Sequence, residues 1–389
     1  MIVSHRFNDL CRSIAALIIA VMVVACSSTD KKDQEPSPLP EFKAERGFDK
    51  LWSHGIGNGN GKLYNRLTPA IHEEKIIAAA ANGKIEAYNR STGRSLWDVD
   101  IDQPICGGVG IGGGLVMVAT EDGRVWALDE NSGKTRWKTQ VNGEVLAPPQ
   151  SDGNTVVVLT FSGNLVGLDA KTGEKKWLYA GGAPVLSLRA SSAPVLYDTG
   201  VMAGLNNGKV IAVDLAGGQP LWESRAGIAQ GSSEIERQND VTGNLLIDDD
   251  VLYAVSYQGR LTALDLRSGR RLWETNASSY VGLSEGFGNI YVVAANGNIT
   301  AFTKNNQGAR WEQTALARRQ LSGAAAVGGY IAVGDFEGYL HLLSQSDGHF
   351  VARERVDGGG IRVAPLVVDD IIYVYGNSGK LAAYKLEKK

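Results

Sequence analysis

DGRVWALDENSGKTRW, residues Asp122 to Trp137, is the stretch from which the fold can be read. It follows an apolar run, Val116 to Thr120, that ends at Asp122-Gly123, a dipeptide suited to the positive φ of a two-residue hairpin turn. Arg124 to Asp129 reads as the next strand. Asn131-Ser132-Gly133 turns the chain again, because Asn and Ser bond their own backbone and Gly takes the left-handed conformation. Thr135 to Thr139 makes an outermost strand, and its Trp137 is broad enough to fill a wedge between packed sheets.

The same spacing of glycine to tryptophan recurs at Gly83/Trp97, Gly163/Trp177, Gly208/Trp222, Gly259/Trp273 and Gly297/Trp311, with successive glycines about forty residues apart. A period of that length with four strand-sized segments per copy is the signature of an all-β, β-propeller fold. A single four-stranded antiparallel blade cannot bury its apolar faces alone and must stack on its neighbours. Glycine, at 48 of 389 residues, supplies the frequent turns this requires.

Glu337-Gly338 and Ser378-Gly379 continue the spacing, although Ala352 stands where the seventh tryptophan is expected. The last copy lacks room for its own tryptophan, whereas Trp52 has no glycine-led strand pair ahead of it. The economical reading is that the segment around Leu51-Trp52 supplies the outer strand of the last blade. An N-terminal strand would then close an eight-bladed ring and leave no open sheet edge at the seam.

Residues 1–25 read as a lipoprotein signal peptide: Ile14 to Val24 is apolar, too short to span a bilayer, and is preceded by Arg6 and Arg12. Val23-Val24-Ala25-Cys26 resembles a lipobox, which makes Cys26 the lipidated first residue. A plain signal peptide ending near a cysteine, or an uncleaved core helix, is the alternative. Residues 26–47, with Pro36, Pro38 and Pro40, read as a lipid-anchored flexible tether, and 48–389 as the propeller. The formal charge is −3, and loss of Arg6, Arg12 and Asp9 with the leader takes it to −4. With no basic block, nucleic acid is not an expected partner. Past Cys11 and Cys26 only Cys106 remains, so packing and not disulfides must hold the ring.

Several motifs look chemical. Gly282-Leu283-Ser284-Glu285-Gly286 has the pattern of a hydrolase nucleophile elbow, but it falls where each repeat places its innermost strand. Gly108, Gly110 and Gly113 have dinucleotide-binding spacing, yet a strand and not a helix follows. Gly133-Lys134-Thr135 lacks the first glycine of a phosphate loop. Asp248-Asp249-Asp250 and Asp369-Asp370 read as solvated turns, although carboxylate runs could ligate calcium. His54, His72, His341 and His349 have no metal-ligand spacing. Neither a catalytic nor a metal site is expected.

The informative departures are in loop length. Two neighbouring copies are stretched, at roughly 178 to 192 and 223 to 243, both in blade-to-blade connections that emerge on one rim. They are expected to meet in one raised patch. The first offers Val185, Leu186, Leu188 and Arg189, an interface-like mixture; the second offers Glu234, Glu236, Arg237 and Asp240 to surround it with charge. The alternative is two ordinary polar loops with Leu186 and Leu188 tucked inward. A third stretched segment, Gly55 to Asn65, reads as glycine-rich and flexible.

The consensus in Ala170-Lys171-Thr172-Gly173-Glu174 with Trp177 resembles the tryptophan-docking repeats of pyrroloquinoline-quinone (PQQ) enzymes, which implies a PQQ-dependent periplasmic dehydrogenase as an alternative function. Such enzymes carry a vicinal disulfide, and this sequence has no adjacent cysteines. The whole arrangement, lipobox, tether and eight repeats, is similar to the BamB (YfgL) family of outer-membrane assembly factors, over essentially the full mature chain. The specific loop motifs are Leu186-Ser187-Leu188-Arg189-Ala190-Ser191-Ser192-Ala193-Pro194 and Gly231 to Val241, which reads GSSEIERQNDV. The resemblance implies a non-catalytic scaffold of the β-barrel assembly (BAM) complex without a cofactor. It would be anchored in the outer membrane through N-acyl and S-diacylglycerol groups on Cys26, with Ser27 directing it there, and would face the periplasm. It further implies docking to the POTRA domains of BamA through Leu186, Leu188, Arg189 and Asp240, with Glu234, Glu236 and Arg237 on the rim. The acidic residue that the family shows two positions after the aspartate is Thr242 here. Whether unfolded barrel precursors add to its sheet edges is left open.

Overall fold

A computed structural model describes residues 35–182, 186–228, 231–305 and 308–388. The segment read as a signal peptide, Cys26 and Val185 lie outside the described residues. Eight four-stranded antiparallel sheets follow one another in chain order, and no helix occurs among the described residues. Blades 1 to 7 are continuous in sequence, at 70–100, 105–140, 150–180, 195–225, 246–276, 284–313 and 325–355. Blade 8 takes three strands from 366–388 and its outermost from Arg46–Gly55.

That seam is a long antiparallel pairing. Arg46–Gly55 runs against Lys380–Lys388, with Trp52 opposite Ala383, so the two distant segments share one ladder. The edge that three strands alone would expose is thereby paired. The tether reading ended at residue 47, but the chain is held against the ring before that. Phe42 stacks on Phe350 at 5.6 Å, Arg353 donates to the Pro40 carbonyl at 2.9 Å, and the Glu45 amide donates to the Val351 carbonyl at 2.9 Å.

Between blades the tryptophans do the same work each time. The indole Nε1 of Trp52, Trp97, Trp137, Trp177, Trp222, Trp273 and Trp311 donates to a carbonyl of the next blade, at 2.8 to 3.1 Å. Each accepting residue leads into the turn between that blade's third and outermost strands. At Gly173 this turn adopts φ +75° and lies against the Trp137 ring, where an added Cβ would sit 2.6 Å from a ring carbon. Glycine is therefore required both for the conformation and for the close approach.

Ala352 follows from the same geometry. Blade 8 has no turn between its third and outermost strands, because these come from opposite parts of the chain. A tryptophan in blade 7 would have nothing to dock against. The cross-strand partner compensates: each docking tryptophan faces Ala or Gly on the neighbouring strand, as in Trp137 opposite Ala127, whereas Ala352 faces Leu342.

Of the glycines with dinucleotide-like spacing, Gly108 and Gly110 lie in the inner strand of blade 2 and Gly113 in the turn that follows it. At Gly110 an added Cβ would lie 1.8 Å from the Pro149 carbonyl oxygen, so the position serves backbone approach between inner strands. Asp248, the last residue of its strand, and Asp369, in a turn, lie on the rim away from the connectors, paired with Lys304 at 2.5 Å and Arg90 at 2.7 Å.

Candidate docking surface on the connector rim

The two stretched connectors meet on one rim, and a buried carboxylate joins them. The Leu188 amide donates to Asp240 Oδ2 at 2.5 Å, across 52 positions of sequence. Asp240 continues inward: its carbonyl accepts from the Tyr257 amide at 2.9 Å, while the next residue, Val241, donates to the Leu205 carbonyl at 3.1 Å. The second connector is thus tied to the hairpins of blades 4 and 5. A further bond, Ala193 amide to Asn244 Oδ1 at 3.1 Å, holds the connectors together at their roots.

Asp240 corrects the expectation that it surrounds the patch with surface charge. It is 0% exposed, and burial pushes its carboxyl up to about 6, with the Leu188 hydrogen bond opposing that rise. Its Oδ1 is buried without a partner. The residue shapes the patch from beneath. Thr242, two positions on, is also buried and donates to the Tyr280 carbonyl at 3.2 Å.

Arg189 is half-buried and fixed at both ends of its guanidinium, by an ion pair with Glu144 and by a bond from Nη1 to Asn65 Oδ1 at 3.0 Å. Leu188 is half-buried, whereas Leu186 is 42% exposed. The outermost part of the second connector is built differently. Glu236 accepts from the Ser232 and Ser233 amides at 2.7 and 3.1 Å, and these bonds hold its carboxyl below the usual range. Arg237 donates to the Gly231 carbonyl at 3.1 Å and lies 3.8 Å from Glu234. The charges expected to ring an apolar centre largely satisfy their own turn. They leave Ile235 at its tip, 66% exposed, and Ile228 exposed at its base.

The segment read as a flexible glycine-rich stretch, Gly55 to Asn65, is instead a fixed crossing of the channel mouth on this rim. Its start is sewn between the hairpins of blades 8 and 1: the Asn60 amide donates to the Asn377 carbonyl at 3.0 Å, and the Ala81 amide to the Gly59 carbonyl at 2.7 Å. Asn60, fully buried, accepts from the Leu67 amide at 2.9 Å through Oδ1. The glycines are present because the backbone comes close. At Gly59 (φ +64°) an added Cβ would meet the Gly379 nitrogen at 2.2 Å. Arg66 then reaches across the mouth to the Tyr280 carbonyl at 2.7 Å.

Sequence reasoning missed Tyr64, Arg66, Tyr280, Glu144 and Arg362, which close around this crossing. The extra length before blade 1 was the available signal. Cys106 lines the same channel and is buried, its thiol pushed up to about 12 chiefly by burial, so it is not a ready nucleophile. No cluster of three potential metal ligands occurs among the described residues.

Comparisons with known proteins agree with this architecture. A family model described as "Outer membrane protein assembly factor BamB" matches residues 81–313 and 295–388. The BamB of Pseudomonas aeruginosa is 58% identical over 96% of this chain and 98% of its own length. That of Escherichia coli K12 is 34% identical over 93% and 96%. Among solved structures, BamB from Moraxella catarrhalis superposes with a TM-score of 0.80 at 30% identity, covering 87% of this chain and all of that one. The quinohemoprotein alcohol dehydrogenase of Comamonas testosteroni reaches a TM-score of 0.69 at 15% identity over 87% and 76%, a likeness of fold alone.

Proposed function

The chain belongs to the family of outer membrane protein assembly factor BamB, and from that membership we propose that it is a non-catalytic scaffold of the β-barrel assembly machinery. In this reading it binds the periplasmic POTRA domains of BamA through the connector rim and assists insertion of barrel proteins into the outer membrane. Cys26, lipidated, anchors it on the periplasmic side of that membrane.

The observation that carries the docking reading is the joining of the two long connectors through Leu188 and Asp240. Fixed loops lose little conformational freedom on binding, which favours a specific contact. Leu186 and Ile235 offer exposed apolar groups, and Arg189 presents a guanidinium already oriented by Glu144 and Asn65. Asp240 acts here as a positioning residue, and Glu234, Glu236 and Arg237 shape the neighbouring turn.

Copurification of BamA with Leu188→Asp and Arg189→Glu variants tests the contact. Loss of capture with an intact thermal transition is the expected outcome; full capture by both folded variants removes these residues from the interface. Mass spectrometry of the mature N-terminal peptide tests the anchor, and an unmodified Cys26 would reject it.

A further inference from the structure

Three arginines from separate parts of the chain converge on the channel mouth. Arg66 comes from the crossing segment, Arg189 from the connector between blades 3 and 4, and Arg362 from the connector between blades 7 and 8. They line a cavity of about 290 Å³ that contains no aspartate or glutamate among its lining residues.

The charges do not balance. Arg189 is paired with Glu144 just outside the cavity. Arg66 and Arg362 form no ion pair among the described residues; each meets only carbonyls and ring faces. Arg66 donates to the Tyr280 carbonyl, stands 5.1 Å over the Tyr280 ring, and leaves its Nε buried without a partner. Arg362 donates to the Asn65 carbonyl at 3.1 Å and more weakly to that of Leu63 at 3.4 Å, with its guanidinium 4.0 Å over the Tyr64 ring. Burial holds Arg362 below the usual guanidinium range; the Tyr64 and Tyr280 hydroxyls oppose this, and the charge of Arg66 adds to it.

Both guanidinium groups are half-buried, and even partial loss of water without a counter-charge is costly, a cost that cation–π contacts recover only in part. A guanidinium has five donors in a planar fork that matches a carboxylate, and here most of them make no hydrogen bond within the protein. An arriving carboxylate would meet net positive charge, free donors and aromatic walls, in a space that suits a short acidic side chain or a small dicarboxylic acid. We infer that the channel mouth is a carboxylate-binding site built by Arg66 and Arg362, with Arg189 at its edge. The carboxylate belongs either to an acidic side chain of a protein docked on this rim or to a small free acid.

Glutarate is a suitable probe, titrated into the full chain labelled with 15N-arginine while the side-chain Nε–Hε signals are followed. The Arg66 and Arg362 signals are expected to shift together and saturate in the roughly millimolar range. Arg66→Gln and Arg362→Gln should each weaken binding about tenfold or more, whereas Arg267→Gln, exposed on the other rim, should not. No saturable shift in the wild-type protein up to about 50 mM, which needs no variant to fold, would overturn the assignment. So would an affinity that survives both glutamine substitutions. This titration uses no partner and therefore stands or falls apart from the docking reading. Repeating the partner-capture measurement in saturating glutarate identifies the source: weakened capture assigns the carboxylate to the docked protein, unchanged capture to a free acid.

Discussion

The Asp240 carboxylate and the Leu188 amide meet at 2.5 Å although 52 positions separate them in sequence. This hydrogen bond, with that of the Ala193 amide to Asn244 Oδ1, ties together two connectors that no sheet ladder joins. Its acceptor is fully buried, and burial is the larger influence on its charge.

A sign follows for the pH dependence of stability. Because the folded-state value of Asp240 is raised to about 6, the native chain holds this proton between the ordinary carboxylate range and pH 6, where the unfolded chain has lost it. Stability from this group is therefore greatest at low pH and falls as pH rises to about 6. Asp240→Asn should be relatively more stable than wild type above that range, by up to about 2–3 kcal/mol, with the difference vanishing near pH 4. Urea unfolding of both proteins from pH 4 to 7.5 checks this. A difference that shrinks as pH rises would contradict the assigned burial.

Asp240→Ala acts on geometry as well as charge. Without its acceptor the Leu188 amide loses a bond worth about 1–3 kcal/mol to a charged group. Hydrogen exchange at Leu188 should then accelerate, while amides of the central strands in blades 4 and 5 keep their protection. Uniform loss of protection would mean that the carboxylate supports the blades themselves.

Ala352→Trp should not restore a missing repeat residue. The site is buried opposite Leu342, and blade 8 offers no turn on which an indole could dock. Overpacking of about 1–3 kcal/mol is expected, with part recovered by adding Leu342→Ala. Thermal denaturation of the single and double variants measures both; a stabilised single variant would refute this account of the seam.

At the seam itself, Trp52→Ala should cost about 3–5 kcal/mol, as for any large buried aromatic, and lower the protection of amides in Lys380–Lys388. Trp137→Ala, within a continuous blade, should cost as much without affecting those amides. Equal loss of protection at the seam in both variants would argue that the ring unfolds only as a whole.

His341 supplies a pH effect of the opposite sign. It is fully buried beside Asp335 at 3.0 Å, and burial outweighs that carboxylate, holding the imidazole below its usual range. The unfolded chain takes up the proton first as pH falls through about 6.5, so stability declines below that point by up to about 1.4 kcal/mol per pH unit. His341→Gln should flatten this decline between pH 7 and 5. An unchanged slope would show that the fold does not shift the His341 imidazole from its unfolded value.

The sequence by itself determined the repeating unit. Hairpin glycines, Asx turns and a tryptophan at fixed spacing act locally, so each copy reports its own strands, and the unpaired Trp52 was enough to show that the two chain ends share a blade. The length of two connectors also marked one rim as unusual. Only the tertiary structure decided what those loops do with their side chains. Asp240 and Arg189 look alike as charged loop residues, yet one is buried beneath the patch and the other is pinned to Glu144 and Asn65. The crossing of the channel by residues 56–66 and the meeting of Arg66 with Arg362, 296 positions later, were equally illegible. Local spacing encodes turns and strands, whereas such contacts depend on ring closure, which brings together residues that no period relates.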